Sequence, residues 1–300
     1  MVYASHQIIA ARDLLHNYHQ GNNLQFAVNG YVQAMKNLFG ALLRQWRKTR
    51  NVSQLELAMN ADISQRHVSF IESGRARPSR EMVLKLAETM AVPLRARNEI
   101  LLAAGYAPFY PERPLNAPEL TLASQLLVRL LEHHDPYPAM VLDREWNILR
   151  QNKSALHLIA KCLPKKQLAR FSQNGKLNFL RVMCAPGGLR DHIRSWARTG
   201  PALLARLRRE AMAYPGSPSI RLMEELLQSG AFPGFIESGD APADVVIPLE
   251  IMVDGASLRF FSMLTTFGAP QDITLQELHV EMSFPADEAT DRLLRACPLQ

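Results

Sequence analysis

No apolar run in this chain approaches the ~18–20 residues needed to cross a bilayer, which excludes an ordinary spanning helix. Cysteine is scarce. Cys162, Cys184 and Cys297 are odd in number and far apart, so a disulfide framework is excluded and free thiols in a reducing compartment are expected. Near the N-terminus Arg12 is the only charge before Asp13, and no apolar core with a small-residue cleavage site follows. No secretory signal is read there, and a cytoplasmic setting is expected. The final hundred residues are poor in lysine, which speaks against a Ser–Lys autoproteolytic domain.

What is present is ordinary globular composition, 47% apolar and 21% charged over 300 residues, enough for two domains with a core each. The formal charge of +6 is strongly localised. Residues 35–113 carry 13 Lys/Arg against 7 Asp/Glu, whereas from 114 onward the signs balance at 20 each. One stretch of about eighty residues thus holds the whole excess, as a polyanion-binding module requires.

The pattern inside that stretch is helical. Leu38, Leu42, Leu43 and Trp46 recur at helical spacing, and Ser53-Gln-Leu-Glu56 has the form of a capping box. A short helix from Gln54 to about Asn60 should follow, with small Ala58 where a second helix crosses. Asp62 stands at the turn, where a left-handed backbone is needed and Asp tolerates it. Ser64 caps the next helix, whose inward face is Val68 and Ile71, and Gly74 suits the left-handed stop. Ser79 caps a fourth helix, and Pro93 opens a fifth from Arg95 to Ala104. This is a helix-turn-helix. Ser64, Gln65, Arg66, His67 and Ser69 fall on the start of the groove-reading helix, where Arg can pair with guanine and Gln with adenine. Gln54, at a helix N-terminus, is expected to hold a phosphate, and Arg75 and Arg77 in the following loop to contact backbone.

Residues 110–118, with Pro111, Pro114 and Pro118, read as a linker between a head at 35–109 and a second domain at 119–297. Leu120–Leu131 is an expected amphipathic helix closing at His133-His134, which a helix dipole explains without a metal. Strand-like runs Ala139–Asp143 and Trp146–Arg150 flank a tight turn, and Asn152 caps a helix. Helices are expected at Leu189–Ala211 and Ser219–Gln228, the Arg206-Leu-Arg208-Arg209 cluster being read as a solvated face. Val245–Met252 and Ser257–Thr266 flank Asp254-Gly255, a hairpin signal, and Glu277–Phe284 alternates as a half-buried strand. The expected architecture is α+β: a five-helix head, then one antiparallel sheet covered on one face by helices, laid out like a PAS sensor. Residues 1–34 fit neither part. Either Met35 is the native start and the leader is an artefact, or the leader is a flexible or short helical arm.

The run SQLELAMNADISQRHVSFIESGRARPS resembles the Cro/repressor helix-turn-helix of the xenobiotic-response-element type, a lambda-repressor-like five-helix fold. Glu72 matches that family's acidic residue and is read as a local structural tie. The whole span from Leu38 to Arg295 resembles the MmyB-like transcription regulators, through PYPAMVLDREWNILRQN, LLARLRREA and LRFFSMLTTFGAPQDITLQELHVEMSFPADEAT. Ala269 departs from the family pattern, which has Thr after FG. The resemblance implies a bacterial regulator with a PAS-like domain that takes a small apolar or fatty-acyl ligand, with no other cofactor. Met140, Leu142, Trp146, Ile148, Phe179, Phe260, Met263 and Met282 are the candidate cavity lining, although any sheet-and-helix core would bury the same residues.

Enzyme chemistry finds no constellation. Gly187-Gly188 is a lone pair rather than a phosphate loop, and Glu224-Glu225 face differently on a helix. Asp272 reads as a loop residue, and Cys184 has no His partner nearby. Two readings remain: a homodimeric regulator of double-stranded DNA controlled by a ligand, or one whose C-terminal half only dimerises or binds a partner protein.

Overall fold

The computed structural model describes residues 38–173, 175–213, 216–232 and 248–296. The leader, the expected strand residues 245–247 and Cys297 lie outside them. Two compact units divide between Glu112 and Arg113, the second holding most of the chain thereafter. No helix among the described residues is long and apolar enough to cross a membrane.

The first unit is helical: α1 (38–49), α2 (Gln54–Asn60), α3 (Gln65–Glu72), α4 (Arg80–Thr89) and α5 (Leu94–Ala103). Local chemistry sets the boundaries. Ser53 Oγ accepts the Glu56 amide at 3.0 Å and Glu56 accepts the Ser53 amide at 3.4 Å, completing the capping box that starts α2. Ser64 and Ser79 cap α3 and α4 through the hydroxyl alone, accepting the His67 and Met82 amides at 3.1 and 3.2 Å. Asp62 adopts φ +53° in the turn, and Gly74 adopts φ +71° just past α3. Leu43, Leu57, Val68, Ile71, Leu86 and Leu101 are completely buried between these helices. At Gly40, a Cβ would lie 2.4 Å from the Glu72 carbonyl oxygen, so α1 and α3 meet backbone to backbone.

The second unit begins with α6 (Thr121–His134), followed by β1 (Ala139–Leu142), β2 (Ile148–Gln151) and α7 (Lys153–Cys162). The short α8 (Lys165–Leu168), a two-residue pair β3 (Ser172–Gln173) and β4 (Lys176–Leu177), and α9 (Phe179–Cys184) come next. The helix expected at Leu189–Ala211 is divided: a 3₁₀ turn at Leu189–His192, then α10 (Trp196–Ala213). Ile193 interrupts it by bridging to Ile251 on the sheet. After α11 (Pro218–Gln228) come β5 (Leu249–Val253), β6 (Ala256–Thr265), α12 (Ile273–Glu277), β7 (His279–Pro285) and α13 (Glu288–Ala296).

The five long strands form one antiparallel sheet in the order β2-β1-β7-β6-β5, the early hairpin joining the late strands through β1 and β7. Asp254 and Gly255 both take positive φ in the β5–β6 turn, the geometry expected for that dipeptide in a hairpin. Each face of the sheet has its own core. One carries Met140, Leu142, Phe260 and Ile251 against α7, α9, α10 and α11. The other carries Ala139, Val141 and Val280 against Leu127 and Leu131 of α6. Cover on both faces differs from the one-sided cover expected, because α6 turns back beneath β1 and β7.

Candidate DNA-binding surface and ligand cavity

Glu72 organises the head. Its side chain is fully buried, and Arg47 clasps it through Nε at 2.6 Å and Nη2 at 3.0 Å. Arg44 Nε approaches at 3.3 Å and Gln54 Nε2 donates at 2.8 Å. Burial alone would raise the carboxyl pKa; the hydrogen bonds from Arg47 and Gln54, the Arg47 charge and the Arg44 bond outweigh it and hold the group below its usual range. Glu72 therefore ties α1, α2 and α3 together, as its local role implied. The same contact holds the side chain of Gln54, the residue expected to meet a phosphate, against the core of the head. That bond uses one of the two N–H groups of the Gln54 amide; the second N–H and the backbone amide at the start of α2 are the donors a phosphate would meet.

On α3, Val68 and Ile71 point inward while Ser64, Gln65 and Arg66 are exposed and His67 and Ser69 half-buried. The arginines around them are backed by aromatic rings. Arg66 and Arg75 lie over Phe70, at 5.1 and 5.9 Å from its centroid. Arg77 lies over Tyr106 at 5.8 Å, and Arg80 over Phe109 at 5.0 Å. Tyr106 Oη donates to the Pro78 carbonyl at 2.8 Å, and the Phe70 carbonyl accepts the Arg75 amide at 2.8 Å, so the loop after α3 is held at both ends. These stacks restrict the guanidinium groups while leaving their edges free for phosphates or base edges. The sequence reading missed Phe70, Tyr106 and Arg80. Only the Arg66–Phe70 pair, four residues apart on one helix, had a local signature.

In the second unit a cavity of about 520 Å³ lies between the sheet and the helices α7, α9 and α10. This is within the range of small-molecule sites. Met140, Phe179 and Phe260 line it as expected, with Ile159, Met183 and Leu203. The other five expected residues do not. Leu142, Trp146 and Ile148 pack in the same core without lining the cavity. Met282 belongs to the opposite core, under α6, and its cross-strand partner Met263 stands exposed at 57%. The alternation of β7 was legible but its face was misassigned: Val280 and Met282 meet α6, whereas Glu281 and Ser283 line the cavity.

The polar end of the cavity is built around Arg206. Thr199, Ala202, Leu203, Arg206 and Arg209 fall on one stripe of α10 that faces the cavity, so Arg206 is half-buried and not the solvated residue expected, whereas Arg209 is exposed. Its guanidinium carbon stands 4.5 Å from the Trp146 ring centroid. Nη1 and Nη2 both share one oxygen of Glu281 at 3.5 Å, and Nε approaches Glu210 at 3.3 Å. Burial raises the carboxyl pKa of Glu281, and Arg206 and Ser262 only partly offset it; burial likewise raises Glu210 against the pull of Arg206. Trp146 takes φ +66°, a left-handed backbone that suits Gly and is costly for an indole, in the turn between β1 and β2. That conformation sets the ring beneath Arg206.

The two described cysteines, Cys162 and Cys184, are not poised for chemistry. Burial pushes the Cys162 thiol up to about 11 and raises Cys184 further, so both are protonated at neutral pH. The ring nitrogens of His133 and His134 meet the carbonyls of Arg129 and Ser283, consistent with helix-end histidines.

A helix-turn-helix head with ring-backed arginines, followed by an α+β domain enclosing a cavity, defines the class: a DNA-binding transcription regulator. The sequence model of the MmyB-like transcription regulator ligand binding domain matches residues 123–296, and that of the helix-turn-helix matches 43–96. The chain belongs to the MmyB-like transcription regulators. No curated protein matches it. Among solved structures one match is an RNA-binding light-oxygen-voltage receptor, at 13% identity over 94% of this chain and 69% of that one, with a TM-score of 0.23.

Proposed function

We propose that this regulator is a cytoplasmic homodimer whose grip on a pseudo-palindromic operator is set by an amphiphilic small molecule in the C-terminal domain. The observation that carries the reading is the cavity: apolar along Met140, Ile159, Phe179 and Phe260, and polar at Arg206, Ser262 and Glu281. Such a lining matches an alkyl chain ending in a polar head, as the fatty-acyl ligand implied by the family resemblance would have. A ligand acts on DNA affinity only through different affinities for two arrangements of the protein. Purified protein, denatured and extracted, should release one recurrent amphiphile detectable by mass spectrometry. A clean extract, with no thermal shift from any alkyl compound, would favour a C-terminal half that only dimerises.

Ala202 lines the cavity on α10, so Ala202→Phe should fill part of it and weaken decanoate uptake on the order of tenfold or more. Unchanged uptake, measured by calorimetry, would place the ligand elsewhere.

On DNA, two α3 helices would enter successive major grooves about one helical turn apart. Ser64, Gln65, Arg66, His67 and Ser69 would meet base edges and flanking phosphates, with Arg75 and Arg77 on the backbone. Arg66→Ala should cost about 1–3 kcal/mol and relax preference at one base pair, whereas Arg77→Ala should weaken all sequences alike and flatten the salt dependence. Binding titrations on an operator and its point variants decide this; an Arg66→Ala protein with unchanged affinity and preference would mean α3 is not the reading helix.

A further inference from the structure

The polar end of the cavity holds an arrangement that neither the family nor the proposed function accounts for. The guanidinium fork of Arg206, its two Nη groups, is met by a single carboxylate oxygen of Glu281 at 3.5 Å from each. That is the outer limit of a hydrogen bond, and much poorer than the paired N–H···O bonds a carboxylate or sulfonate makes with the same fork. Glu281 is itself enclosed, its side chain 8% exposed, so its negative charge is costly without that partner. On the assumption that the cavity is a ligand site, we propose that Glu281 is a displaceable counter-ion: an anionic head group replaces it on the Arg206 fork, and Glu281 gains one proton from solvent as it is displaced.

The surroundings favour this exchange. Charged groups facing Glu281 come from α10, namely Arg206, Arg209 and Glu210, and from its own strand, where His279 lies two residues away. Burial and the Arg206 charge lower the His279 pKa, so it does not supply a compensating positive charge at neutral pH. From the other packed elements, the described lining residues are uncharged: Met140 on β1, Ser262 on β6, Ile159 on α7 and Phe179 on α9. With Arg206 and Arg209 already matched by Glu210 and Glu281, a further anionic head group would leave uncompensated negative charge in a partly enclosed site. Neutralising Glu281, whose ionised form burial already disfavours, removes it. The Ser262 hydroxyl beside Glu281 is available to either protonation state.

The test is calorimetric titration of the full chain with decane-1-sulfonate, whose head stays ionised throughout, in two buffers of different ionisation enthalpy. Decan-1-ol serves as the neutral probe. The expected result is uptake approaching one proton per sulfonate bound, none with the alcohol, and sulfonate affinity rising by up to tenfold per pH unit on acidification while free Glu281 is ionised. Glu281→Gln should bind the sulfonate at least as tightly as the parent, without proton uptake or pH dependence. Sulfonate binding without proton uptake, or uptake that survives in Glu281→Gln, overturns the counter-ion exchange and leaves the cavity reading intact. Failure of the sulfonate, decanoate and the alcohol alike to bind overturns the cavity reading and this proposal with it.

Discussion

Glu72→Ala is expected to destabilise the helix-turn-helix head by about 3 kcal/mol, because removing one partner strands the others in a dry site. Arg47 is only 12% exposed and gives Glu72 two hydrogen bonds, with Arg44 and Gln54 adding one each. After the substitution Arg47 would keep a bond to the Val52 carbonyl but lose its counter-charge. Glu72→Gln, which preserves shape and some bonding, should lose less. Because the folded carboxyl titrates below its ordinary value, its contribution is complete above the unfolded pKa and disappears as pH falls through the folded one. Acidification below about pH 4 should therefore narrow the gap between parent and variant. Urea unfolding followed by the fluorescence of buried Trp46 measures all three quantities. A cost under about 1 kcal/mol would mean that Arg47 finds other partners and that the tie is ornamental.

The second large effect belongs to Asn152. This side chain is 5% exposed and uses both ends. Its oxygen accepts the amides of Ala139 and Ala155, each at 3.0 Å, and its nitrogen donates to the carbonyls of Tyr137 at 2.7 Å and Leu131 at 3.4 Å. One residue thus caps α7, anchors the start of β1 and closes the end of α6. Asn152→Ala leaves at least two enclosed amides without acceptors and should cost about 3 kcal/mol or more. Asn152→Asp keeps the acceptors but turns a carboxylate toward two carbonyls, so it should also be destabilising, though with α7 still capped. Chemical denaturation of the two variants gives the order, and an alanine variant as stable as parent would require water to have replaced the amide.

Legibility followed the range of the interaction. The Ser53–Glu56 box, the left-handed Asp62, the Asp254-Gly255 turn and the Asn152 cap depend on neighbours within a few residues, and all are present. Glu72 could be recognised as a tie, but not its partners, which lie 18 to 28 residues away on two other helices. In the cavity, alternation along β7 identified a strand with two unlike faces. It could not say which face met the sheltering helices, since α6 and α10 compete for the apolar one. Arg206 was hidden for a related reason: a cluster of arginines on a helix looks solvated until a stripe of Thr199, Ala202 and Leu203 shows which side is enclosed. The left-handed Trp146 carried no signal, because a bulky aromatic is the last residue its backbone would favour.

The two-sided character of β7 also limits how the sheet can shift. Sliding the strand by one position would thrust Glu281 into the oily layer below and swing Met282 into the cavity, an exchange penalised on both sides. The sheet is thereby a fixed floor, pinned in its pairing by opposite solubilities. The helices of the roof, α10 among them, carry no such register, since no strand ladder fixes their position on the sheet.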